Sequence, residues 1–414
     1  MKRIELPLTD AKQIIEDYYN DIKNQRTKPL LWSDWRTRNI KGIWYEPCPE
    51  GPTFRYGDLN GDNRNPLGLL LTGTTVHGST IGSTGSGKSV TTNFKYHDLC
   101  YRISPEHLEL YMIDAKRVEF SKYAQDYKLP HAKVVAATSD MEYVITLGEW
   151  FVEQMDERNN LLSSIGASNV TDYYEATGIR LPTRMLVIDE LGEFLSVCTN
   201  NQMKRFQNIL SAVVRLGRNT QYFIDFATQV VPPQLDKTIL SNFGIKFCLK
   251  VNDPKIGELA LGNDASYYIK QRGFGYLNVG DGTKETNQLV RIPYISDTQF
   301  QANLKEMCEE ADKRGIKTSM FYYNEKQVKP WNSNWEEIAK ASRNKFLLGH
   351  SGLYIHEQWY NSFDWEYTNA SNVLCFSPHM KASDVMLEML VRNLNTKIED
   401  KDSIYVVASN FNDT

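Results

Sequence analysis

One eight-residue stretch, "GSTGSGKS" at 82–89, constrains the fold of this chain more than any other. It satisfies the pattern GxxxxGK[ST], which calls for a strand before it, a helix after it and a loop whose amides face phosphates. Gly82, Gly85 and Gly87 let the backbone turn its N–H groups toward the anion. Lys88 brings a positive charge to the β/γ oxygens, and Ser89 offers a hydroxyl to Mg²⁺. Ser83, Thr84, Ser86 and Val90 complete the stretch expected to bind ATP, and a helix over 90–101 adds its N-terminal dipole.

A second motif, "MLVIDE" at 185–190, follows about a hundred residues on: an apolar strand ending in two acids. At the sheet centre its last carboxylate, Asp189, lies beside the phosphate loop as a Mg²⁺ ligand, and Glu190 is the natural base for an attacking water. No guanine-reading NKxD is present, and the adjacent Asp–Glu pair favours water as nucleophile, so the expectation is an ATPase. "FATQ" (226–229) ends the next strand and places Gln229 to contact the γ-phosphate or the water. "RLGR" (215–218) precedes that strand, and Arg215 or Arg218 is a candidate arginine finger reaching a neighbouring subunit's nucleotide. A solvated basic helix end explains those arginines equally well.

The runs "ELYMID" (109–114), "RMLVID" (184–189), "QYFIDFAT" (221–228) and "IKFCLKV" (245–251) read as buried strands. Between them lie segments with apolar residues at three- and four-residue steps, as in helices. The alternation predicts an α/β fold on a predominantly parallel sheet with helices on both faces. Four regions are expected: an N-terminal helical and basic region (1–66), the ATPase domain (67–300), a helical connector (301–345) and a C-terminal α/β unit (346–414). That last unit reads either as a partial, degenerate second ATPase-like module or as an unrelated appendage. Laid over the phosphate loop, it has Met380 in place of Gly85, Ser383 in place of Lys88 and Asp384 in place of Ser89, so it cannot catalyse.

The net charge of −4 gives no global nucleic-acid signature, so any polyanion must meet a local basic surface. Residues 22–42 are the best candidate, with Lys23, Arg26, Lys28, Arg36, Arg38 and Lys41 interleaved with Trp32 and Trp35. The simpler reading, two tryptophans packed on the core beside a solvated edge, is preferred. The six cysteines are scattered without metal spacing and read as free thiols. No window is apolar enough for a membrane helix and the N-terminus lacks a signal-peptide core, so the expectation is a cytoplasmic protein held at any membrane by a separate anchored partner.

Taken in order, "GSTGSGKSV", "LYMIDAKRVEFSKYAQDYKLPH", "LVIDELGEFL" and "RLGRNTQYFIDFATQ" resemble the FtsK/SpoIIIE family of motor ATPases over about residues 67–295. The resemblance implies a RecA-like P-loop core, a homo-oligomeric, hexameric ring, ATP hydrolysis at subunit interfaces, and double-stranded DNA moved through the pore. Two positions depart from the family pattern: Val230 stands where an arginine is expected, and Ala115 where a proline is. The segment ending in "GFGYLNVGDG" resembles a sister branch, the type VII secretion ATPases, which move protein cargo. Three readings therefore stand: a DNA translocase for conjugation or packaging, the motor of a type VII-like export machine, and an ATP-binding docking subunit with little turnover.

Overall fold

The computed structural model describes residues 28–324 apart from 49, 63, 64, 74, 230–242 and 281, together with Lys12 and the backbone of two later strands. The elements of the first unit are α1 (Trp32–Asn39), β1 (Thr53–Leu59), β2 (Pro66–Leu70), β3 (Gly78–Ile81), α2 (Lys88–Arg102), β4 (Leu108–Asp114), β5 (Ala132–Ala137), α3 (Met141–Ser164) and α4 (Val170–Thr177). They continue with β6 (Thr183–Asp189), α5 (Leu191–Val197), α6 (Asn200–Thr220), β7 (Tyr222–Thr228), β8 (Ile245–Leu249) and α7 (Pro254–Leu261). The last are β9 (Phe274–Val279), β10 (Gln288–Arg291), α8 (Asp297–Arg314) and β11 (Phe321–Asn324). The four runs read as strands are β4, β6, β7 and β8.

One eleven-stranded sheet holds the unit, in the order β11-β5-β4-β6-β7-β3-β8-β9-β10-β1-β2. Neighbours from β11 to β8 are parallel, and β8 to β2 are antiparallel. The central parallel strands are buried along nearly their whole length. A strand covered on both faces has no solvent side, which is why these segments read as unbroken apolar runs. Alternation within them still separates two packing faces. Leu108, Leu110, Met112, Met185, Val187 and Phe223 join Phe94, Leu99, Phe300 and Leu304 of α2 and α8 in one core. The intervening Tyr111 and Tyr222 meet Phe151 of α3. Helix starts are fixed locally: Thr199 and Gln202 form a reciprocal capping box at α6, and Asn169 accepts two amides at α4.

The expected boundary at 66/67 cuts across this sheet. β1 and β2 pair with each other, and β1 pairs with β10, so residues 53–70 belong to the same layer as the nucleotide-binding core. The connector assigned to 301–345 differs in the same way. α8 buries Phe300, Leu304 and Met307, and β11 pairs in parallel with β5. The polar composition of α8 belongs mostly to its outer face; the exception is Asn303, fully buried with its Nδ2 2.7 Å from His97 Nε2. Residues Met1–Asn324 form one compact unit.

Trp32 and Trp35 are buried, at 1% and 0% exposure, against Phe94 of α2, and the Trp35 indole donates to Asp98 Oδ1 at 2.9 Å. Arg36 and Arg38 are ion-paired with Glu306 and Asp58. The preferred packing reading of this stretch is therefore the right one: its aromatics are core, and no base-stacking surface is formed by them. Lys23 and Arg26 lie outside the described residues.

The second unit, Glu325–Thr414, contains an antiparallel pair, β12 (Lys345–His350) and β13 (Tyr360–Asp364). The expected strand–loop–helix with Met380, Ser383 and Asp384 lies outside the described residues, as do residues 1–27 of the expected N-terminal helical and basic region, Lys12 apart.

Candidate functional site: a nucleotide-binding cleft at the strand ends

Parallel pairing in near-equal register brings the carboxyl ends of β3, β4, β6, β7 and β8 to one edge. Asp114 is level with Asp189, and Ile81 is level with both Thr228 and Cys248. In an open α/β sheet ligands bind outside the carboxyl ends of the strands, where the strand order reverses. The loop 82–87 leaves β3 here and feeds directly into α2.

The loop is held between its two neighbours. Gly82 N donates to Thr228 O at 3.2 Å, Ser83 N to Lys250 O at 3.1 Å, and Asn252 N to Ser83 Oγ at 3.1 Å. A Cβ on Gly82 would lie 2.5 Å from Ser86 Oγ and 2.9 Å from Leu249 Cβ, so only glycine fits. Gly85 and Gly87 have φ of 76° and 106°, the left-handed backbone that winds successive amides into an anion-facing nest. The first amides of α2 have no acceptor within the helix. The Ser86 hydroxyl is buried with no hydrogen-bond partner among the described residues. An orphaned donor beside a nest and a helix N-terminus fits a bound phosphate chain.

Lys88 is buried and spans both acids at the end of β6, 2.9 Å from Asp189 Oδ1 and 3.2 Å from Glu190 Oε2. Burial opposes its charge, but the two carboxylates outweigh burial and hold its ammonium above the ordinary lysine value. Burial pushes the Asp189 carboxyl up to about 6 against the pull of Lys88. Glu190 is different. Burial would raise it, but the Lys116 bond, the Lys88 charge and the Gln229 amide together hold it below the usual glutamate value.

Glu190 sits at φ 57°, ψ 53°, a left-handed conformation uncommon for a residue with a side chain, at the turn from β6 into α5. Its Oε1 accepts from Gln229 N at 2.9 Å. Its Oε2 accepts from Gln229 Nε2 at 3.0 Å and from Lys116 Nζ at 2.8 Å. The Gln229 carbonyl in turn accepts from Thr84 Oγ1 at 2.8 Å. Gln229 thus joins the phosphate loop to the candidate base. Ser89 follows Lys88 in the first turn of α2, and Asp189 ends β6 beside Lys88. Among the described residues no cluster of three His, Cys, Asp or Glu could hold a metal ion.

Residues 59–229 match the FtsK/SpoIIIE family model. The chain carries an FtsK/SpoIIIE family domain. Its sequence is 25% identical over 256 residues to DNA translocase FtsK of Rickettsia bellii (strain RML369-C), across 53% of this chain and 32% of that one. The chain therefore spans about a third of the length of that relative. The pCW3 conjugation coupling protein TcpA, solved as a monomer with ATPγS, shares the fold with a TM-score of 0.54 and 22% identity, over 68% of this chain and 75% of that one. The cytoplasmic domain of the Thermomonospora curvata type VII secretion ATPase EccC does so with a TM-score of 0.57 and 18% identity, over 82% of this chain and 42% of that one. The α/β fold with a mostly parallel sheet expected from the sequence is the observed one.

Within the FtsK/SpoIIIE domain Thr84 and Lys88 of the phosphate loop, Asp189, Glu190 and Gln229 are joined by direct contacts at one end of the sheet, whereas Val90, also expected to bind ATP, packs against the hydrophobic core. Arg215 and Arg218 lie away from this end. Both are exposed on the last turns of α6, before β7 begins, whereas Gln229 follows its far end. Seven residues of strand separate the two ends, roughly 20 Å. Lys116 was present in the "IDAKR" segment but carried no expected role, because its partner, Glu190, is 74 residues distant in sequence. Thr228 is a second addition, its hydroxyl accepting from Gly192 N at 3.3 Å beside Glu190. No helix among the described residues is long and apolar enough to cross a membrane.

Proposed function

We propose that the FtsK/SpoIIIE domain hydrolyses ATP and uses the cycle to move double-stranded DNA, as one subunit of a homo-oligomeric, hexameric ring. The observation that carries the hydrolytic reading is the Glu190 carboxylate, kept ionised in a buried cleft and tied through Gln229 to Thr84 of the phosphate loop. A kinase-type site has no need of a base for water so placed. In this reading Lys88 exchanges its bonds to Asp189 and Glu190 for β/γ oxygens. Glu190 orients the attacking water and takes its proton, and Gln229 holds the carboxylate in line. Mg²⁺ held by Ser89 and Asp189 would supply charge neutralisation at the phosphates. The position of Arg215 and Arg218, at the opposite end of β7 from their own cleft, suits action on a neighbouring subunit's nucleotide.

DNA as cargo is supported by the DNA translocase relative. It would be gripped through its phosphates, without base readout. Protein cargo is a second reading, favoured by the EccC fold likeness over most of the chain and by β9, the "FGYLNV" strand, beside β8. Recruitment by a separate membrane-anchored protein is compatible with either.

The test is steady-state ATP hydrolysis with and without duplex DNA. Glu190→Gln should lower kcat by at least about 100-fold while ATP still binds. Turnover that survives this change refutes the assignment of the base. Absence of stimulation by duplex of any length refutes the DNA reading and leaves the protein-export one.

A further inference from the structure

Lys116 lies on a loop built to present it. Asp114, at the end of β4 and fully buried, accepts three main-chain amides from the loop that follows: Arg117 N at 2.8 Å, Glu119 N at 2.7 Å and Phe120 N at 3.0 Å. Arg117 takes a left-handed backbone with φ 62° to complete the turn. Residue 116 is thereby fixed beside the end of β6, and its ammonium reaches Glu190 Oε2 at 2.8 Å and Glu193 Oε1 at 4.0 Å. The Lys116 side chain is 40% exposed and that of Glu190 only 4%. The lysine end of this pair is half-exposed and the carboxylate end buried, so the contact acts mainly on the charge of Glu190.

Its chemical role follows from the cation count at Glu190. Among the described residues two ammonium groups neutralise that carboxylate, Lys88 and Lys116. In the proposed hydrolytic cycle Lys88 is committed to phosphate oxygens, which among the described residues leaves Lys116 as the cation on a buried carboxylate whose other partners, Gln229 and the Thr228 hydroxyl, are neutral. We propose that Lys116 is a positioning residue for ATP hydrolysis: it holds the Glu190 carboxylate in place while Lys88 serves the nucleotide. It touches neither phosphate nor water in this scheme and acts only through Glu190. The inference rests on Glu190 being the base.

The experiment compares Lys116→Met, Lys116→Arg and Glu190→Gln with the unaltered full-length chain, measuring kcat and KM for ATP and equilibrium binding of a fluorescent ATP analogue. The expected result for Lys116→Met is a kcat lowered 10- to 100-fold, with KM and analogue affinity changed less than threefold. Lys116→Arg, which keeps the cation, should recover most of the rate. A purely structural role would lower the active fraction for every variant of this side chain and give no rescue by arginine. If Lys116→Met does not fold, Lys116→Gln decides in its place. Wild-type kcat in the methionine or glutamine variant overturns the proposal, as does a change confined to KM. Turnover in Glu190→Gln equal to wild type would instead overturn the assignment of the base itself, so the two failures are distinguishable.

Discussion

Gln229 grips Glu190 twice, donating its main-chain N–H to Oε1 at 2.9 Å and its side-chain amide to Oε2 at 3.0 Å. The pair fixes both oxygens of a carboxylate at the end of one strand from the end of the next. The Gln229 side-chain carbonyl also accepts from Thr84 Oγ1, so one side chain links the phosphate loop to the proposed base. Gln229→Ala removes one donor to a charged acceptor, an interaction of about 1.5–3 kcal/mol. Expressed in the transition state, that is a fall in kcat of roughly 10- to 100-fold. Steady-state kinetics check it, and an effect on KM alone would place Gln229 in ground-state binding instead.

Gly82→Ala tests the closeness of the loop to β8. The new methyl meets Ser86 Oγ and Leu249 Cβ inside contact distance, so the loop has to move, at about 1–3 kcal/mol for such overpacking. Loss of ATP-analogue affinity of tenfold or more is expected by fluorescence titration. Gly166→Ala is the control: φ is 73° there, with nothing near the added carbon, so the variant should lose stability through backbone strain and bind nucleotide normally.

Lys95 and Asp225 form a fully buried ion pair between α2 and β7, with the Tyr96 hydroxyl on the same carboxylate. The ammonium lies over the rings of Phe54 and Tyr96, and Gly78 lacks the Cβ that would collide with Asp225. Removing one partner strands the other charge, so Lys95→Met should cost about 3–5 kcal/mol in urea unfolding. Lys95→Met combined with Asp225→Leu should cost less than Lys95→Met alone. A double variant that is no more stable than the single one would refute this account of the pair.

Three buried histidines set an acid limit on stability. Burial lowers His77 and His131 to about 4 and His97 to about 3. His77 Nδ1 accepts from Ile224 N at 3.2 Å, which protonation would break, and His131 Nε2 contacts Ile103 O at 2.7 Å with Nδ1 left unpartnered in the interior. The folded values lie below the ordinary histidine value of about 6.5, so the unfolded chain binds more protons between the two. The stabilisation from neutral His77 and His131 is complete above about pH 6.5 and is lost as pH falls through about 4. Unfolding free energy should drop by a few kcal/mol from pH 7 to pH 4.5. Replacing His77 by phenylalanine should flatten part of that slope, and an unchanged slope would exclude His77 as a contributor.

Sequence alone determined the phosphate loop, the acidic strand end, the terminal Gln229 and the parallel core. Each is local: a glycine spacing, or an apolar run long enough to be covered on both faces. Resemblance over 67–295 added order to these pieces. What only the tertiary structure decided involves partners far apart in the chain. Lys116 became a partner of Glu190 because register puts the ends of β4 and β6 level, 74 residues apart in sequence. The sequence already favoured core packing for Trp32 and Trp35; the structure decided against what they pack, Phe94 on the phosphate-loop helix, a contact that no periodicity in so short a polar helix signals. The domain borders at 66 and 300 dissolved for the same reason, since strand pairing across a sheet leaves no mark in local composition.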